Sequence, residues 1–232
     1  MLLPTMNEKE ISAEMMRDLG RLENTKDRLV HEYDKERRKH KIDRSSVYPK
    51  VYPVKTKAKN NWLIFMHKSL SQDKYRNCYD VALCNVVFYY DKYGLKAMRY
   101  IKETDLIEVF SGHLFKRYNE RLQLNLSRPI DAVIRFFNTN GYLQHIMYEK
   151  NGTWKTMGIC KEGITFGEFQ NEEKWLVNKT FITKNMAFAK QIKIEKGLIE
   201  ELEAEVMLGS MFENFNEAEY KMKKEVLSSI AG

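Results

Sequence analysis

Four apolar segments between residues 142 and 183, separated by turns of hairpin length, constrain the fold more than any other part of the chain. Residues 142–149 lead into Lys150-Asn151-Gly152, residues 153–160 lead into Lys161-Glu162-Gly163, and residues 164–170 and 175–183 follow. Asn-Gly is the pair that a two-residue turn with positive φ favours, so these segments predict a four-stranded antiparallel meander. Upstream, residues 62–67 form a compact apolar run, and residues 80–90 and 95–101 flank the turn Asp91-Lys92-Tyr93-Gly94 as a hairpin. Residues 106–110 add a short strand that runs directly into a helical pattern starting at His113. Pro129 suits the first turn of a second helix, which Asn138-Thr139-Asn140-Gly141 ends.

The two ends of the chain read as helices. Residues 8–43 carry Ile11, Met15, Leu19 and Leu22 on one side and, after a shift, Leu29, Val30 and Tyr33, with Gly20 as a weak point. Val47-Tyr48-Pro49-Lys50-Val51-Tyr52-Pro53-Val54 repeats a Val-Tyr-Pro pattern and must be extended. Residues 186–207 return to a helical pattern with Glu200, Glu201, Glu203 and Glu205 exposed. The expected fold is α+β: an antiparallel β-sheet with two central helices, flanked by long N-terminal and C-terminal helices. Its expected divisions are a basic-ended helix (1–46), an extended linker (47–60), the α+β core (61–185) and an acidic helical segment (186–232).

Charge is placed unevenly along the chain. The net charge is +7, and residues 61–194 alone carry 20 Lys+Arg against 13 Asp+Glu, whereas residues 195–232 carry 4 against 9. A basic centre suits a polyanionic partner such as RNA. Arg37, Arg38, Lys39 and Lys41 concentrate charge at the end of the first helix, where they are candidates to track phosphates. The three cysteines, Cys78, Cys84 and Cys160, have neither CxxC nor zinc spacing, so a reducing compartment and no metal or other cofactor are expected. The first residues lack the pattern of a signal peptide, and no segment has the roughly 20 apolar residues of a membrane span, so a cytoplasmic protein without membrane partners is expected.

Chemistry concentrates in Ser111-Gly112-His113-Leu114-Phe115-Lys116-Arg117-Tyr118-Asn119-Glu120-Arg121-Leu122. Helical spacing puts His113, Arg117 and Arg121 on one stripe, with Leu114, Phe115, Tyr118 and Leu122 on the other side. Ser111 can cap the first turn, and the unpaired N–H groups there favour an anion, most simply a phosphate. Lys116 adds a further cation beside the stripe. A solvated helix face has the same composition. HExxH, a Walker-type loop and a GxSxG elbow are all missing, and nothing near Cys160 marks it as a nucleophile.

His113, Arg117, Glu120 and Arg121, the strands from 158 to 170 and the final Asn178-Lys179-Thr180-Phe181-Ile182-Thr183 together resemble the BECR superfamily of small ribonucleases, the barnase, EndoU, colicin and RelE group. Within it, the helix is similar to the HxxxRxxER-type helices of BrnT-like toxin domains. The resemblance covers residues 113–183; the first 110 residues and the acidic end have no place in a minimal toxin domain. It implies metal-independent RNA cleavage by the neighbouring 2′-hydroxyl, with His113 as base or acid and Arg117 and Arg121 clamping the phosphate. It also implies that Glu120 orients an arginine or shares proton transfer, and that Thr180 or Thr183 donates to a phosphate oxygen. Tyr118 or Trp175 can stack on a base under the same resemblance, although burial in the core is the favoured reading of both. Two non-enzymatic readings compete with it. One is a basic nucleic-acid-binding module, and the other is an assembly or accessory protein that engages a protein partner through its N-terminal or C-terminal helix.

Overall fold

The computed structural model describes residues 1–40, 49–68, 81–141 and 143–187. Helices α1 (Glu8–Arg21) and α2 (Glu23–Lys39) precede strands β1 (Lys50–Lys55), β2 (Asn61–Lys68), β3 (Val81–Asp91), β4 (Gly94–Ile101) and β5 (Leu106–Phe110). Helices α3 (Gly112–Arg121) and α4 (Pro129–Thr139) lead to β6 (Gln144–Lys150), β7 (Thr153–Cys160), β8 (Gly163–Gln170) and β9 (Trp175–Thr183). Among the described residues these nine strands form one sheet in the order β1-β2-β3-β4-β5-β9-β8-β7-β6. Two antiparallel meanders, β1 to β5 and β6 to β9, meet where β5 and β9 pair in parallel, with Ile107 opposite Trp175 and Phe110 opposite Asn178.

This architecture corrects the expected one. The sheet is mixed and dominates the molecule, and the long N-terminal helix is two helices that meet at Leu22. The phase shift between the apolar sets of residues 11–22 and 29–33 is the cause. A bend at Leu22 lets each set face the sheet: Ile11 and Met15 pack with Trp62, Val87 and Met98, and Leu29 and Tyr33 pack with Ile64 and Met66. The N-terminal helices therefore cover one face of the sheet. Of the Val-Tyr-Pro segment, residues 47 and 48 lie outside the described residues, and Lys50–Lys55 forms the edge strand β1, where Pro53 is tolerated. The expected acidic helix at 186–207 falls almost entirely outside the described residues, of which Lys184–Met186 form a short 3-10 turn.

Helices α3 and α4 occupy the other face. Leu114, Phe115 and Tyr118 of α3 and Ala132, Val133, Phe136 and Phe137 of α4 join Leu63, Phe65, Phe110 and Phe181 of the sheet in one core. Strand β2 faces both helix layers, which accounts for its unbroken apolar run. The Glu162 carboxylate in the β7–β8 turn accepts from Tyr118 Oη (2.6 Å), Arg135 Nη2 (2.6 Å) and Asn140 Nδ2 (2.8 Å), tying α3 and α4 to that turn. Asn151 and Gly152 have φ of 54° and 70°, as the β6–β7 hairpin requires.

The second meander is strongly coiled. His145 Nε2 on β6 lies 2.5 Å from Glu108 Oε1 on β5, although β9, β8 and β7 intervene. In a flat sheet four strand spacings amount to roughly 19 Å, more than the two side chains can span. The strands curl until β6 closes over β5, and the His145 ring lies directly on Gly158, where a Cβ would sit 2.7 Å from it. Arg99, opposite Glu108 on β4, donates to the same carboxylate and to Gly141 O. Burial alone would push the Glu108 carboxyl up; the Arg99 guanidinium and the His145 imidazole overcome this and hold it down to about 2.

Candidate functional site

Helix α3 begins where β5 ends, wedged between the start of β4 and the far part of β9. Ser111 is its N-cap: Oγ accepts from Leu114 N (3.2 Å) and donates to Lys179 O (3.0 Å), so one hydroxyl fixes the helix start to β9. Gly112 lets the first turn rest on the β3–β4 turn, since a Cβ there would lie 3.0 Å from Leu95 O and 3.1 Å from Tyr93 O. Ser111→Ala is expected to lower stability by about 1 kcal/mol, read as a shift of the denaturation midpoint at constant slope.

Leu114, Phe115 and Tyr118 bury one side of α3 and leave His113 and Glu120 exposed, with Arg117 half-exposed. Arg117 Nε donates to His113 Nε2 (3.4 Å), and Arg117 Nη1 donates to Glu120 Oε2 (3.1 Å). The guanidinium is thus held between an imidazole and a carboxylate. Lys116, 72 % exposed, stands 4.0 Å from Glu120 Oε1 and is otherwise directed to solvent.

The remaining sequence candidates do not converge on this group. Arg121 leaves the stripe and donates to Phe181 O, which fastens the end of α3 to β9. Thr183 shares the α3 face of the sheet with Phe181 but lies beyond it, at the Arg121 end of the helix. Thr180 is on the opposite face. The β8–β9 register breaks so that Phe166 pairs with Thr180 and Gly167 with Asn178, leaving Lys179 as an extra residue that reverses the alternation. Arg37 is buried, 4.0 Å from Asp34, while Arg38 and Lys39 are exposed at the end of α2 on the other side of the sheet from α3. Lys41 lies outside the described residues. Tyr118 and Trp175 are core residues: Tyr118 donates to Glu162, and Trp175 Nε1 donates to Ser12 Oγ (2.8 Å).

No family model, curated protein or solved structure matches this chain.

Three further residues reach the start of α3 that the sequence did not single out. Lys92 and Tyr93 belong to the β3–β4 turn against which Gly112 rests, and Lys179 supplies the β9 carbonyl that accepts from Ser111 Oγ. Lys116 and Arg117 stand on α3 itself and Lys92 stands over the Tyr93 ring in the adjoining turn, whereas the Lys179 ammonium pairs with Glu168. Among the described residues no group of three His, Cys, Asp or Glu side chains is placed to hold a metal ion. Burial pushes the Cys160 thiol up to about 12, and its Sγ donates to Gly163 O, so it is inert as a nucleophile. No described helix is long and apolar enough to cross a membrane. Surface recesses of about 350 Å³ beside α1 and about 500 Å³ at the α1–α2 junction involve no residue of α3. The His113 group lies on an open face of α3.

Proposed function

We propose that this chain cleaves RNA without a metal on the exposed face of α3. The observation that carries the reading is the Arg117 guanidinium held between His113 and Glu120. Transesterification by the 2′-hydroxyl needs one group to take the 2′ proton, one to protonate the departing 5′ oxygen, and positive charge on the phosphorane between them. Glu120 serves as the base and His113, as imidazolium, as the acid. The new bond joins the 2′ oxygen to phosphorus, the bond to the 5′ oxygen breaks, and the products are a 2′,3′-cyclic phosphate and a 5′-hydroxyl. Arg117 Nε donates to His113 Nε2, and a bound phosphate competes with the imidazole for the guanidinium. The N–H groups of the first helical turn and Lys116 add to the attraction for that anion.

The packing of α1 and α2, whose apolar faces are covered by the chain's own sheet, weighs against assembly through the N-terminal helix alone; the C-terminal segment lies almost entirely outside the described residues. The binding-module reading is decided by experiment. Purified protein is incubated with a mixed RNA pool in EDTA, and binding to the same RNA is followed in parallel. Cleavage is expected to survive EDTA, to fall about 10²- to 10⁴-fold in His113→Gln with affinity largely retained, and to fall in Arg117→Ala together with affinity. Salt-sensitive binding without cleavage by the unsubstituted protein would replace this reading with that of a binding module.

A further inference from the structure

We infer that Tyr93 is a stacking platform for an unpaired base next to the α3 site, so that the substrate class is single-stranded RNA; the inference rests on the reading of α3 as an RNA site. Tyr93 is 74 % exposed, more than any other large apolar or aromatic side chain among the described residues. Its backbone is pinned on both sides. Tyr93 N donates to Asp91 Oδ1 (2.8 Å), Asp91 is itself paired with Lys96 (2.8 Å), and Tyr93 O lies against Gly112. A fixed backbone carrying an open ring loses little freedom when a flat ligand lands on it.

The surroundings of the ring specify the ligand. Lys92 Nζ stands 4.9 Å from the ring centroid, which couples a cation to the aromatic face. The residue after Gly112 is His113, so the ring belongs to a turn in contact with the first turn of the helix that carries the acid and the guanidinium. An aromatic face with cations beside it, one contact away from a phosphate-seeking helix start, matches the alternation of base and phosphate along one strand of nucleic acid. A duplex offers no free base face to Tyr93. It also holds the 2′-hydroxyl away from the in-line position that cleavage requires.

The test uses the full chain with His113→Gln, so that RNA is bound but not cut, and follows fluorescence anisotropy of a labelled unstructured RNA and of a duplex of equal length. Adding Tyr93→Ala is expected to weaken single-strand binding about 5- to 150-fold, with the slope against salt unchanged because no charge is removed. Tyr93→Phe and Tyr93→Trp should keep the affinity, whereas Lys92→Ala should reduce the salt slope by about 1. Single-strand binding indifferent to Tyr93→Ala, or an equal loss for the duplex, overturns the inference and leaves the α3 reading standing. A protein that binds neither RNA at any salt concentration removes both.

Discussion

Glu108→Ala is expected to lose about 3–5 kcal/mol of folding stability, a third or more of what a domain of this kind possesses. The carboxylate is fully buried and is the shared acceptor of Arg99 and His145. Removing it leaves the Arg99 guanidinium, itself buried against Phe110 and Phe137, without its counter-charge. It also frees the strand that closes the coil, because His145 is the β6 side chain that reaches β5. Replacing Arg99 and Glu108 together by Met and Leu should recover much of the loss, since an apolar pair leaves no stranded charge. Thermal and denaturant unfolding of the single and double variants read this directly.

The same group sets an acid limb. Its folded-state value of about 2 lies below the ordinary carboxylate value of 4.5, so its contribution is complete above pH 4.5 and disappears as the pH falls toward 2. Glu108→Gln has no such proton to take up. Its stability is expected to fall less steeply than that of the unsubstituted protein across this window, and equal slopes would show that the ion pair is not the acid-sensitive element.

Phe136→Ala is expected to cost a comparable 3–5 kcal/mol. Its ring lies 5.1 Å from Tyr118 and 5.8 Å from Phe115 in edge contacts, 5.6 Å from Phe110 and 6.5 Å from Phe181, so one side chain from α4 joins α3, β5 and β9. The cavity would open beneath the helix that presents His113, and no neighbour is free to fill it. Phe136→Leu should cost about 1.5 kcal/mol or less, since most of the volume remains. A midpoint shift at constant denaturant slope is the expected signature. Under the proposed reading, RNA cleavage by the Ala variant should fail at a lower temperature than that by the parent, tracking its unfolding.

Much of the sheet is legible in the residues because alternation and turn chemistry are local. Asn151-Gly152 and Gly94 mark reversals wherever the chain goes next, and Leu114, Phe115 and Tyr118 separate the buried side of α3 from the His113 side. What depends on pairing is not legible in this way. Alternation separates Thr180 from Thr183, but one unpaired residue, Lys179, puts Thr180 and Asn178 on opposite faces, which no local pattern announces. Glu108 in Leu-Ile-Glu-Val-Phe reads as a solvent-facing strand residue until its register with Arg99 is known. Its contact with His145 needs the coil of the whole second meander, which no local pattern encodes. Arg121 is legible as a residue of α3, but the length of its side chain carries it to a backbone carbonyl of β9. Tyr93 was hidden by its position, because an aromatic residue in a turn is read as part of the turn.

The parallel seam between β5 and β9 has a consequence for the birth of the protein. Residues 106–110 leave the ribosome with their outer edge unpaired, and the strand that covers it is made only about 70 residues later, several seconds at an ordinary rate of translation. During that interval the N-terminal meander is an incomplete sheet with a free margin, open to a strand from a neighbouring nascent chain. Helix α1, made earlier, packs on one face of that strand through Ile107 and Val109, and α3, which follows immediately, is the first element able to shelter the other. The helix proposed as the working part of the molecule thus also completes the cover of both faces of that strand before its partner β9 is made.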